Sequence, residues 1–147
     1  MYKPDIVVYS VDKTPQLVIE IKTKKGASPE WATKLRRNLI VHGVIPASPF
    51  FLLILPDHLY LWKDSSSMEV LLPDYVIDAS PILTPFLKAT NLSLNTISGE
   101  GLELVVDFWL NELIDSELPD DKTGFDWLYA SGLYEAIKNG SVVIQGL

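Results

Sequence analysis

Apolar and polar positions alternate most clearly at the start of the chain. Residues 4–11 and 16–22 are two runs rich in valine and isoleucine, separated by Asp12, Lys13, Thr14 and Pro15. β-Branched runs on either side of turn-forming residues predict a hairpin. Successive side chains of a strand point to opposite faces, so Leu17, Ile19 and Ile21 take one face and Val18, Glu20 and Lys22 the other. The period then changes. Ser28, Pro29 and Glu30 read as a helix start: a hydroxyl cap, a proline at the first position and an acid in the first turn. The helix is predicted to run over 29–42, with Gly43 as its stop. Trp31, Leu35 and Leu39 recur at intervals of four and face the sheet. Residues 45–49 form a stiff, proline-containing loop. The continuous apolar run 50–55 predicts a strand buried on both faces. After a turn at Pro56, Asp57 and His58, residues 59–63 alternate as its hairpin partner.

The second half reads differently. Residues 64–67 are a polar loop. Ser80 and Pro81 open a short helix that ends near Lys88. A longer helix is expected at about 101–116, with Leu102, Val105, Val106, Trp109, Leu110 and Leu113 as a wide apolar stripe. Glu103, Asp107, Asn111, Glu112 and Asp115 fall on its solvated acidic face. Residues 119–124 are a loop. One or two helices follow over 125–138, interrupted near Ser131 and Gly132. Residues 142–144 are a candidate closing strand. The pattern is α/β: a mixed sheet of three to five strands, a helix on one face, and a mostly helical extension over about 64–147.

Composition narrows the class. The chain has 147 residues, 48% of them hydrophobic, enough for one domain with a real core. It has no cysteine, so disulfides, thiolate metal sites and cysteine nucleophiles are out. No apolar run reaches the length of a membrane span. The first residues lack the charged and apolar regions of a signal peptide, and a cytoplasmic location is expected. The net charge of −7 is unevenly spread. Residues 1–46 carry eight Lys and Arg against four Asp and Glu, whereas the remainder carries four against fifteen. The basic half is the one expected to meet an anion.

Candidate chemistry lies in the first hairpin. With its turn centred between Lys13 and Thr14, Asp5 stands opposite Lys22 and diagonal to Glu20, about 7–8 Å away at the backbone. Two carboxylates on a rigid ribbon suit Mg²⁺, which takes one or two carboxylates together with water and phosphate oxygens. The plain structural alternative is a surface hairpin with an Asp5–Lys22 pair worth about 0.2–1 kcal/mol. Arg36 and Arg37 are candidate phosphate contacts, with a solvated basic face as the alternative. His42 reads as a helix-end partner. Asp57 and His58 read as turn residues, with no nucleophile beside them. Pro73 and Asp74 repeat the proline–aspartate pair but lack a following Glu-x-Lys, so they are set aside.

Pro4-Asp5, a gap of fourteen residues and then Glu20-Ile21-Lys22 resemble the PD-(D/E)XK signature of the restriction-endonuclease-like superfamily. The likeness covers roughly the first 63 residues. It implies a restriction-endonuclease-like mixed sheet and a metal-dependent nuclease acting on DNA, with Mg²⁺ or Mn²⁺ as cofactor. Asp5 and Glu20 would be metal ligands, the carbonyl of Ile21 a further ligand, and Lys22 the catalytic lysine. Many members carry a glutamine or a basic residue on the following helix, and Lys34 takes that place here. Lys24, Lys25, Lys34, Arg36 and Arg37 would meet nucleic acid. Members usually place a helix and a strand before the aspartate strand. With the aspartate at residue 5, either the sequence is a fragment or a natural short form, or a second chain covers the open edge; an uncovered edge favours a homo-oligomer. A catalytically inactive module that keeps the fold, and an accessory domain of a larger nucleic-acid system, are the alternatives.

Overall fold

The computed structural model describes residues 3–43, 48–63, 70–88, 90–115 and 125–145. The expected loops at 64–67 and 119–124, residues 45–47 of the stiff loop, and the predicted last residue of the 101–116 helix lie outside them. Among the described residues, six strands form one mixed sheet: β1 (Ile6–Tyr9), β2 (Pro15–Ile21), β3 (Phe50–Ile54), β4 (His58–Lys63), β5 (Tyr75–Asp78) and β6 (Ser141–Ile144). Their order across the sheet is β5-β4-β3-β2-β1-β6. Only β2 and β3 run parallel; the other neighbours are antiparallel. The helices are α1 (Pro29–Val41), α2 (Ser80–Leu83) with a 3-10 turn at Thr84–Phe86, α3 (Gly99–Asp115), α4 (Asp126–Ala130) and α5 (Leu133–Ile137).

The parallel pair needs a crossover, and α1 provides it. Its start is as the sequence requires: Ser28 Oγ accepts the N–H of Trp31 at 3.1 Å, and Pro29 opens the helix. The two faces of the sheet are covered by different elements. On one, Val18, Phe51, Leu53, Tyr60 and Trp62 pack under α1. On the other, Ile6, Val8, Leu17, Ile19, Leu52 and Leu61 meet α2 to α5. That second layer is the larger core, so the second half of the chain is part of the same sheet and core. It also supplies two of the strands. β5 is not in the sequence reading, because a four-residue segment that follows Asp74 and ends in Asp78 has no clear apolar period. β6 is, and it covers the outer edge of β1. The edge expected to need a second chain is filled by the chain itself, so the argument for a homo-oligomer loses its basis.

Within α1 the buried residues are Ala32, Thr33, Arg36 and Leu39, whereas Trp31 and Leu35 are half-buried at the margin. The expected stripe is therefore rotated by about one position. Arg36 lies on the sheet side, its guanidinium 5.7 Å from the centre of the Trp62 ring. Burial draws its pKa below the ordinary value, and Asp74 partly offsets this.

Candidate functional site

The β1–β2 ladder sets the geometry of the carboxylates. Ile6 pairs with Ile19, Val7 with Val18 and Val8 with Leu17; the register then slips, and Tyr9 pairs with Pro15. The loop runs over 10–14 and is closed by Ser10 N–H on the Thr14 carbonyl at 2.9 Å. Lys13 takes a left-handed conformation, with φ 64°. The turn is thus centred earlier than the sequence reading places it. The ladder ends at Ile6 and Ile19, and Asp5 lies just beyond it; counted in the same register it falls level with Glu20 and not with Lys22.

Each site residue has a definite setting. Asp5 is half-buried, and its Oδ2 accepts the N–H of Ile21 at 2.7 Å. The carboxylate thereby stands in for a backbone acceptor at the end of β2, next to Glu20. Its own carbonyl accepts the N–H of Gln145 at 2.9 Å, beyond β6. Glu20 shares its face with Val18, stands beside Leu53 of β3, and is only 1% exposed. Ile21 ends β2 and is buried. Lys22 is half-buried just past it, its N–H on the Ile54 carbonyl at 3.1 Å. All four lie where the parallel strands β2 and β3 end, the place where ligands bind in open α/β sheets. Among the described residues, no group of three or more His, Cys, Asp or Glu is gathered to hold a metal ion. Mg²⁺ takes one or two carboxylates together with water and phosphate oxygens, so Asp5 and Glu20 are the side chains here that could hold it.

The basic loop after β2 is tied down at several points. Gly26, with φ +70°, donates its N–H to Asp57 Oδ2 at 2.8 Å. The Ala27 carbonyl accepts the Tyr60 hydroxyl at 2.7 Å. Burial, with Asp57 and Glu30 nearby, holds that hydroxyl above its usual pKa, so it stays protonated as a donor. Lys25 Nζ donates to the Asn95 carbonyl. Lys24 stands 5.5 Å from the centre of the Trp31 ring. Lys34 and Arg37 are exposed on α1, whereas Arg36 is 1% exposed and faces Trp62, not solvent. His42 caps the end of α1, and His58 Nδ1 is 3.5 Å from Asp57 Oδ2.

Sequence reasoning missed two residues here. Asp57, read only as a turn residue, holds the basic loop. Glu103 of α3, read as part of a solvated face, lies within electrostatic reach of Asp5. Burial is the main cause that raises its pKa, followed by Asp5, Glu100 and Asp107. No period in the sequence marks a helical acid as facing a distant strand. A raised carboxyl pKa means that the folded state resists the charge at neutral pH, and the cost vanishes once the group is protonated. Glu103→Gln is therefore expected to stabilise the protein at pH 7. The gain should shrink as pH falls through the range in which Glu103 takes up its proton. Urea unfolding of both proteins at pH 7 and pH 4 checks this.

Comparison of the chain with family models, with curated proteins and with solved structures finds no match in any of the three.

Proposed function

We propose that the protein is a metal-dependent phosphodiesterase acting on DNA, with Asp5 and Glu20 as metal-binding carboxylates and Lys22 as the catalytic lysine. The observation that supports the reading is the hydrogen bond from Ile21 N–H to Asp5 Oδ2 at 2.7 Å, which holds that carboxylate at the end of β2 beside the Glu20-Ile21-Lys22 segment. Mg²⁺ or Mn²⁺ held there would lower the pKa of a bound water and offset charge on a phosphoryl oxygen. The Ile21 carbonyl is the further ligand that the PD-(D/E)XK likeness implies.

The chain's own residues do the rest. The Lys22 ammonium, next to this end of the ribbon, donates to a phosphate oxygen as negative charge builds on it. The hydrogen bond from Ile21 N–H fixes the Asp5 carboxylate in place, so no rotamer search precedes binding. Lys24, Lys25, Lys34 and Arg37 supply positive charge around the site and hold the phosphate backbone. Arg36 is left out of this set because its side chain is buried against Trp62.

A second reading, a nuclease-like module without catalysis, draws on the burial of Glu20 and on the use of one Asp5 oxygen within the fold. Mn²⁺ binding separates the two. Asp5→Asn keeps an acceptor for Ile21 N–H but removes the charge. Titration of wild type with Mn²⁺, followed by electron paramagnetic resonance, is expected to show one saturable site. The variant should bind at least about tenfold more weakly, the equivalent of about 1.4 kcal/mol. Equal binding by both proteins, or none by either, favours the inactive module.

A further inference from the structure

Asn139 and Gly140 form the one Asn-Gly dipeptide of the chain. Such a pair reacts without an enzyme. The backbone nitrogen of the glycine attacks the side-chain amide carbon of the asparagine, and the missing Cβ leaves that approach open. The new bond from nitrogen to Cγ closes a succinimide ring. The side-chain amide nitrogen departs as ammonia and takes the backbone amide proton with it. Water then opens the ring at either carbonyl, giving aspartate or isoaspartate. In isoaspartate the main chain runs through the β-carbon and is longer by a methylene.

The structure exposes the reacting side chain and withholds the nucleophile. Asn139 is exposed and left-handed, with φ 60°, a conformation that asparagine visits more readily than most residues. Its own N–H donates to the Ile114 carbonyl at 3.0 Å, which ties the turn to α3. The Gly140 N–H donates to the Ile137 carbonyl, also at 3.0 Å. Ring closure would put the Asn139 amide carbon where that hydrogen now lies, between the nitrogen and the carbonyl oxygen. That gap holds a hydrogen and has no room for a carbon. Gly140 is hemmed in on its Cα as well, since a Cβ there would lie 2.0 Å from the Tyr9 carbonyl oxygen. Its nitrogen is free to react only after the turn has left Ile137. Ser141, the next residue, pairs with Tyr9, so the movement opens the first rung of the β6–β1 ladder.

We infer that Asn139 is a spontaneous deamidation site gated by the undocking of β6. Opening of a sheet edge costs less than global unfolding, so the reaction proceeds from the folded population. Isoaspartate makes the opening permanent, because the longer main chain does not fit between Ile137 and Tyr9. β1 then loses its cover and the hydrogen bond from Gln145 N–H to the Asp5 carbonyl. No metal and no nucleic acid takes part, so the reaction is independent of hydrolysis at Asp5.

The test is incubation of the full chain at pH 8 and 37 °C, folded and in urea above its unfolding midpoint, with peptide mapping by mass spectrometry at intervals. Conversion at Asn139 is expected in both, with isoaspartate among the products, and at least about tenfold slower in the folded protein. Hydrogen exchange of the Gly140 amide in wild type reads the same opening, and the slowing should match its protection factor within about threefold. Gln145→Pro removes the N–H that fastens the end of β6 to Asp5, and should speed conversion in the folded protein at least about threefold. Equal rates folded and in urea, no conversion at Asn139 in urea, a slowing that departs from the protection factor, or an unaltered rate in Gln145→Pro each overturns the inference.

Discussion

Gly140→Ala is expected to destabilise the protein by about 3 kcal/mol, at the upper end of the usual range for overpacking. A Cβ at this position would lie 2.0 Å from the Tyr9 carbonyl oxygen and 2.9 Å from that of Ile137. Both are backbone atoms, so relief requires one segment to move off the other. Gly140 is the residue at which the chain leaves α5 and enters β6. Asn139 N–H anchors the same turn on the Ile114 carbonyl at 3.0 Å. If β6 is displaced, β1 loses its outer partner and the Gln145 hydrogen bond to Asp5. The open edge is then free to pair with other chains. The urea midpoint should fall, with little change in slope. Gly99→Ala is the control: a Cβ there meets nothing within 4 Å, at the first residue of α3. It should be neutral or slightly stabilising. A Gly140→Ala midpoint equal to that of wild type would mean that β6 does not dock as described.

Lys22→Ala is the second large effect. Lys22 sits half-buried just beyond β2, and only its backbone takes part in the sheet, so removing the side chain leaves the ladder intact. Loss of one preorganised donor to a developing oxyanion costs a factor of about 10²–10³ in rate. The expected result is DNA cleavage reduced by that factor, with Mn²⁺ affinity and urea midpoint near those of wild type. The separation matters, because Asp5 also has a structural role. A carboxylate accepting a backbone N–H is worth about 1.5–3 kcal/mol, so Asp5→Ala mixes loss of chemistry with loss of fold.

How far these features were legible depends on the range of the interactions that set them. Ser28, Pro29 and Glu30 announced α1 because capping is local. The apolar run at 50–55 announced β3 because a strand enclosed on both faces has little room for polar residues. The alternation of Val18, Glu20 and Lys22 was likewise plain. The β1–β2 register was not, because it depends on the conformation of a few loop residues, Lys13 among them. Arg36 was misplaced for a related reason. Its charge suggested solvent, whereas its position four residues after Ala32 and three before Leu39 put it on the sheet side. The signal was present in the spacing and was outweighed by residue type. β5 and the partial burial of Glu103 are set by tertiary packing, and no local pattern encodes them. β6 was read as a strand, but its place beside β1 follows from chain topology and removed the reason to expect a second subunit.

Asp5, Glu20 and Lys22 are proposed to act together on a phosphodiester. The most direct measurement is hydrolysis of an end-labelled DNA by purified wild-type protein with Mn²⁺, with EDTA, and by Lys22→Ala with Mn²⁺. Cleavage that requires the metal and falls about 10²–10³-fold in the variant is the predicted result. Absence of cleavage with Mn²⁺, or equal cleavage by both proteins, would contradict it.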